Sequence, residues 1–319
     1  MKPSAIFINE VGRLRSGWRL IIFIAVASFV GNLLFSAIPF ALSLALGPQT
    51  SETILKSNWG HLLQASVIFI VALLVGWACG ATLEGLPLRA LGWTTHRGWL
   101  RDLLMGSLIG IASLLVATAL ATAIGGFRFA LNSSESITAT GKTLVLSCLF
   151  FIIAAAAEEV LFRGYPLQTM TRAHLAWVAI VITAALFASA HLDNPNVVPG
   201  VTFINTALAG VWLAVAYLRT RSLWFPLGIH WSWNWMMGAV LGLPVSGIER
   251  LTPAPLLRAT DAGPAWLTGG AYGIEGGAAC TVALLLSMIF IWRTRLVSAT
   301  DEMMQLTDKE SPKTVVSSQ

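Results

Sequence analysis

Eight blocks of nearly uninterrupted apolar sequence leave this 319-residue chain few ways to fold: about 18–46, 61–82, 103–124, 143–162, 175–192, 201–218, 222–243 and 271–292. Roughly 20 apolar residues, rising 1.5 Å each, cross the hydrocarbon of a bilayer. Backbone N–H and C=O groups inside lipid have to satisfy one another, so each block is expected to be a helix. The expected fold class is all-α, a polytopic membrane protein built as a bundle of about eight transmembrane helices. Composition agrees: 11% of residues are charged and 56% hydrophobic, where a soluble domain carries about 25% charged.

The first block contains Pro39 and is expected to tilt, kink or end early. The narrowest boundary lies between the sixth and seventh blocks, where only Arg219, Thr220 and Arg221 intervene. Arg13, Arg15 and Arg19 precede a run too long for the 7–15-residue apolar core of a cleaved signal peptide, so a retained signal anchor is expected. Cys79, Cys148 and Cys280 lie in apolar segments without CxxC spacing and read as packing residues. No internal repeat is evident. These features divide the chain into helices 1–3 (1–142), a core of helices 4–7 (143–243), an extracytoplasmic loop with helix 8 (244–297), and a polar cytoplasmic tail (298–319) expected to be disordered.

Orientation follows from the basic residues. Fifteen Lys and Arg fall at the N-terminus, near 83–102, 163–174 and 219–221, and in the tail; five fall in 47–60, 125–142, 193–200 and 244–270. The positive-inside rule then puts both termini in the cytoplasm of a multi-pass cell-membrane protein. The net charge of +5 is mostly this topology signal, and its scatter over short segments argues against a nucleic-acid partner.

Ionisable groups within spans carry the functional information, because each costs at least about 2.5–3.5 kcal/mol to insert. Three places show them: Glu158, Glu159 and Arg163 in the fourth block, His191 in the fifth, and His230 with Asn234 in the seventh. His61, His96 and His174 sit at span edges or in loops and read as interfacial. Adjacent helical residues point about 100° apart, so the two glutamates have different neighbours. Glu159 and Arg163 are four apart, acid first, as an ion pair prefers. Glu158 then faces into the bundle. His230 and Asn234, also four apart, share a face, and Phe187 lies one turn before His191. For Glu158 and His191 to meet at one depth, helical structure has to continue past Arg163 towards Met170, with Pro166 in the first turn of a second piece.

A desolvated carboxylate, two imidazoles and an amide suit hydrolysis: the carboxylate takes a proton from water, and a histidine with an amide NH2 holds an oxyanion. Glu158, His191 and His230 could equally be three ligands of a catalytic zinc with an open fourth position. Residue types alone leave both open.

At these positions "EEVLFR" (158–163), "FASAH" (187–191) and "HWSWN" (230–234) resemble, in order and spacing, the EExxxR, FxxxH and HxxxN motifs of the CAAX prenyl endopeptidase and bacteriocin-processing (CPBP, or Abi) family of intramembrane proteases. The resemblance covers roughly 143–243, and the family's eight-span core agrees with the block count. It implies that Glu158 activates water with His191, that Glu159 and Arg163 are a supporting pair, and that His230 and Asn234 form the oxyanion hole. It also favours a metal-free glutamate protease with no cofactor. The implied partners are the bilayer and a peptide or protein substrate, with membrane-anchored and lipidated substrates both admissible. Two other classes compete: a non-catalytic immunity or binding protein on the same scaffold, and a proton-coupled transporter using Glu158 and the histidines as a relay.

Overall fold

The computed structural model describes residues 6–308. The chain is mostly helical: α1 (Ser16–Leu46), α2 (Pro48–Lys56), α3 (Asn58–Cys79), α4 (Trp99–Ala123), α5 (Ile137–Arg163), α6 (Tyr165–Arg172), α7 (Ala176–Ser189), α8 (Val201–Thr220), α9 (Trp224–Trp235), α10 (Ala265–Thr268), α11 (Ala278–Arg293) and α12 (Asp301–Thr307). π-helical turns extend α3 to Glu84 and α9 to Val240.

Five helical segments are long and apolar enough to cross a membrane: Ser16–Leu46, Asn58–Glu84, Trp99–Ala123, Ile137–Arg172 and Val201–Thr220. The chain is a polytopic membrane protein. The three remaining apolar blocks also fold as helices, α7, α9 and α11, but these are shorter. The 14 residues of α7 rise about 21 Å, short of the roughly 30 Å hydrocarbon thickness.

Several boundaries differ from expectation for local reasons. Pro39 neither breaks nor ends α1, which runs to Leu46 and stops at Gly47, φ 83°, before Pro48 opens α2. The fold is also not purely helical. β1 (Phe127–Leu131) and β2 (Leu257–Asp261) pair antiparallel, Phe127 opposite Asp261 and Leu131 opposite Leu257. Both strands lie outside the apolar blocks, where backbone groups are free to pair between segments. The expected disordered tail is ordered over part of its length: Thr300 caps Met303 N–H, Asp301–Thr307 is helical, and Met303 is fully buried. The rest of the expected tail, 309–319, lies outside the described residues.

Helix ends gather on two faces. On one, Arg19 and Arg172 both pair with Glu84, Arg89 pairs with Glu302, Arg221 with Asp308, and Arg219 donates to the Thr294 and Val297 carbonyls. On the opposite face the strands pair, Asn132 donates to the Pro255 carbonyl, and Gly247 N–H donates to Tyr272 O. The tight turn between the sixth and seventh blocks is made by Arg221 in the left-handed region, φ 56°, from which Leu223 N–H bonds Gly92 O.

Between the faces, one core runs through α4, α5, α8, α9 and α11, with Leu114, Phe151, Trp212, Ile229 and Leu284 each at most 2% exposed. Small residues let α4 and α9 approach closely. A Cβ on Gly106 would strike Phe225 O, one on Gly110 would strike Ile229 O, and one on Gly228 would strike Leu103 O. Gly106 and Gly110 form a GxxxG pair, the spacing that lets helix backbones touch in membranes.

Candidate active site

The fourth apolar block continues past its charged end. Gly164 interrupts α5, and α6 resumes one residue later with Pro166 in its first turn, so the helical segment extends to Arg172. Arg163 therefore sits deep. Its Nη2 donates to the carbonyl of Gly210, half-way along the 20-residue α8, at 3.3 Å. Glu158, five residues earlier, lies on the far side of that level from the basic face.

Glu159 and Arg163 make the i,i+4 contact the sequence suggests, Nη1 to Oε1 at 3.3 Å, with side chains 0% and 1% exposed. The guanidinium also stacks 4.5 Å from the centroid of Phe187, a geometry in which an arginine gains from the ring quadrupole. Burying a charge is tolerable only with such pairing.

A further contact links elements far apart in sequence. His230 Nδ1–H donates to the same Glu159 Oε1 at 2.8 Å. That bond orients the ring, and Nε2 then faces Glu158 Oε2 at 3.6 Å. This separation is beyond direct hydrogen-bond reach, and a water bonded to both groups suits it. Glu158 is 31% exposed where its neighbour is fully buried. His191 Nδ1 lies 2.7 Å from the carbonyl of Phe187. A carbonyl can only accept, so Nδ1 carries the proton, and Nε2 of the neutral ring keeps a lone pair.

Glu158, His191, His230 and Asn234 all line one cavity of about 320 Å³, within the size of small ligand sites. Glu159 and Arg163 sit behind it. The six residues singled out from the sequence are thus gathered from α5, α9 and the end of α7. Among the described residues no three His, Cys, Asp or Glu side chains form a group that could hold a metal ion.

The sequence reading missed several buried polar groups. Glu275 lines the same cavity; its carboxylate accepts from Trp233 Nε1 at 3.1 Å and from Ser246 N–H at 2.7 Å. The signal was available, an acidic residue inside the 271–292 block. His61, read as interfacial, is a cavity residue. His96, read the same way, is 2% exposed, with Nε2 near Asp102 at 3.2 Å and Ser222 at 3.3 Å. Glu84, just beyond the second apolar block, is fully buried between Arg172 at 2.7 Å and Arg19 at 3.1 Å.

The chain is thus a polytopic membrane protein with paired carboxylates, two imidazoles and an amide around one cavity. Residues 140–236 match the family model described as type II CAAX prenyl endopeptidase Rce1-like. That stretch runs from the first turn of α5 to the end of α9 and holds all six residues named above. Comparison with curated proteins and with solved structures gave no match.

Proposed function

We propose that this protein is an intramembrane endopeptidase that hydrolyses a peptide bond with a water activated by Glu158. It crosses the membrane eight times, α7, α9 and α11 supplying the shorter crossings, with both termini cytoplasmic. Residues 143–243 form its catalytic core. The observation that carries the reading is the pairing across α5 and α9: Glu158 meets the cavity opposite an imidazole that Glu159 holds in one orientation.

In the proposed reaction, Glu158 takes a proton from a water that the free Nε2 of His191 also accepts from. The hydroxide adds to the scissile carbonyl carbon, and the oxyanion is held by the NH2 of Asn234 and, one helical turn away, by Nε2–H of His230, which in this step is the imidazolium, its Nδ1–H remaining on Glu159. Glu158 passes the proton to the departing amine, the C–N bond breaks, and a carboxylate and an amine leave. Glu159 and Arg163 act behind the cavity as positioning residues for His230. Asn234 favours this reading over a zinc held by Glu158, His191 and His230, because an amide is a poor zinc ligand and a good donor to a charged oxygen.

The test compares cleavage products in cells carrying wild-type chain or Glu158→Gln at equal protein level. Products dependent on Glu158 are expected to fall at least about 100-fold. Purified wild-type protein, supplied with a substrate so found, is expected to keep its activity after exhaustive chelation. Unchanged products in the Glu158→Gln cells would remove the protease reading and favour the binding or immunity role. Activity that follows zinc removal and return would keep the protease and replace its mechanism.

A further inference from the structure

α1 presents its polar side to the bilayer. Phe23 and Ala27 are buried against α3 and α6, and Val30, Leu34 and Ile38 pack on the same cluster. At 100° per residue, Asn32 lies about 180° round the helix from Phe23, with Ala25, Ser28 and Ser36 within about 40° of it. All four are exposed, and no α1 residue lines the cavity. Only 6% of the apolar window of α1 is buried, against 39–50% in the other four long spans.

The exposed amide also stands at mid-depth. Asn32 is near the middle of the 31-residue α1, and Ser28 and Ser36 lie one turn, about 6 Å, to either side of it. Asn32 Nδ2 gives one N–H to Ser28 O at 2.8 Å, and Ser36 Oγ donates to Asn32 O at 2.9 Å. Among the described residues, the second N–H and the Oδ1 of Asn32 have no partner. Hydrocarbon offers no hydrogen bonds, so lipid leaves these groups as costly as an unpartnered amide in a protein core. Polar side chains on a membrane helix find such partners on a neighbouring helix.

We propose that this face of α1 is an interface between two copies of the chain, with Asn32 at its centre. A second copy is the occupant the geometry favours, because it inserts in the same orientation and carries Asn32 at the same depth. A twofold axis along the membrane normal then brings the levels of Ser28, Asn32 and Ser36 into register with no further adjustment. Such an interface is made by one patch meeting itself. An amide is self-complementary, so the free N–H of each Asn32 can donate to Oδ1 of the other. The small side chains of Ala25, Ser28 and Ser36 let the two helices approach closely enough for that contact. The interface leaves each copy with its own cavity, so the inference does not depend on what the cavity does.

The experiment has two arms on the full-length chain. In the first, Cys79, Cys148 and Cys280 are replaced, one new cysteine is introduced, and cell membranes are mildly oxidised before any detergent is added. Ala25→Cys and Ser36→Cys are expected to give a reducible band at twice the mass of the chain. Leu33→Cys, exposed but about 100° from Asn32, is expected to stay at the single-chain position. Equal cross-linking at all three positions would mean chance collision and overturn the proposal, as would no cross-linking at any. A reducible band of another mass would overturn it too and assign the face to a different membrane protein.

In the second arm, energy transfer between two fluorescently tagged copies is followed in lipid vesicles over a series of protein-to-lipid ratios. Asn32→Leu is expected to weaken self-association about 3- to 30-fold, the range that one interhelical polar contact is worth in a membrane. Asn32→Gln keeps the amide and is expected to retain most of the association. Unchanged transfer in Asn32→Leu would overturn the role of the amide. Leucine leaves the packed face untouched, so the melting temperature of that variant is expected to match the wild type. Were it to fall, the cysteine arm, which keeps Asn32, would still decide the question.

Discussion

Glu158 and Glu159 show how far two identical neighbours can diverge. One position apart on α5, they differ by about 100° in direction, and one is fully buried while the other meets the cavity. Glu159 Oε1 receives both Arg163 and His230, so its removal would disturb a charge and a ring together. Glu159→Gln keeps the size and loses the charge. It is expected to cost on the order of 3–5 kcal/mol, since one partner of a buried pair is left uncompensated. Thermal unfolding in detergent checks this, with Glu158→Gln as comparison: the Glu158 variant should unfold near the wild-type temperature, and the Glu159 variant well below it. Equal melting of the two would mean that Arg163 finds sufficient support in Gly210 O and the Phe187 ring.

At the scale of elements, the site depends on how closely α9 approaches α4. His230 is one residue from Ile229, whose carbonyl a Cβ on Gly110 would strike. Gly110→Val is expected to push α9 away, destabilise the fold by about 1–3 kcal/mol through overpacking, and lower Glu158-dependent cleavage. Gly141, in α5, has nothing within 4 Å of the place its Cβ would take. Gly141→Ala should leave cleavage unchanged and be neutral or stabilising by up to about 1 kcal/mol, because helical glycine costs backbone entropy. Activity and melting temperature of the two variants separate the cases; a wild-type Gly110→Val would show that α9 is positioned from elsewhere. The break at Gly164 acts at this scale too. It lets the fourth apolar block carry charge at mid-depth and still return to the basic face through α6.

For the molecule as a whole, the two faces are stitched by different forces. The basic face is joined by buried and half-buried ion pairs, Arg19–Glu84–Arg172 and Arg221–Asp308 among them. The opposite face is joined by a short β-ladder. Ala130 stands opposite Arg258 in that ladder, and facing residues of an antiparallel pair have Cα atoms about 4.5–5.5 Å apart, inside the range a disulfide spans. In a chain lacking the three native cysteines, Ala130→Cys with Arg258→Cys is expected to cross-link under mild oxidation. The product should migrate faster on a non-reducing gel and revert with reductant. Thiols that stay free and reactive towards maleimide would mean that the ladder does not hold in the membrane.

The amino-acid sequence by itself determined that this is a helical membrane protein, because long apolar runs admit little else in lipid. Its motifs resembled those of the family whose model matches residues 140–236, and drew attention to six residues, since each stood as a polar group in an apolar run. The i,i+4 contact of Glu159 with Arg163 was legible because helical spacing is local. Tertiary structure alone decided what lies across space. His230 reaches Glu159 over 71 positions of chain, and Glu275, His61 and Asn194 join the cavity from separate segments. Glu84 is buried because Arg19 and Arg172 converge on it, not because its neighbours in sequence are apolar. Periodicity records which way a side chain points from its own helix; which partner waits there is set by the packing of the others.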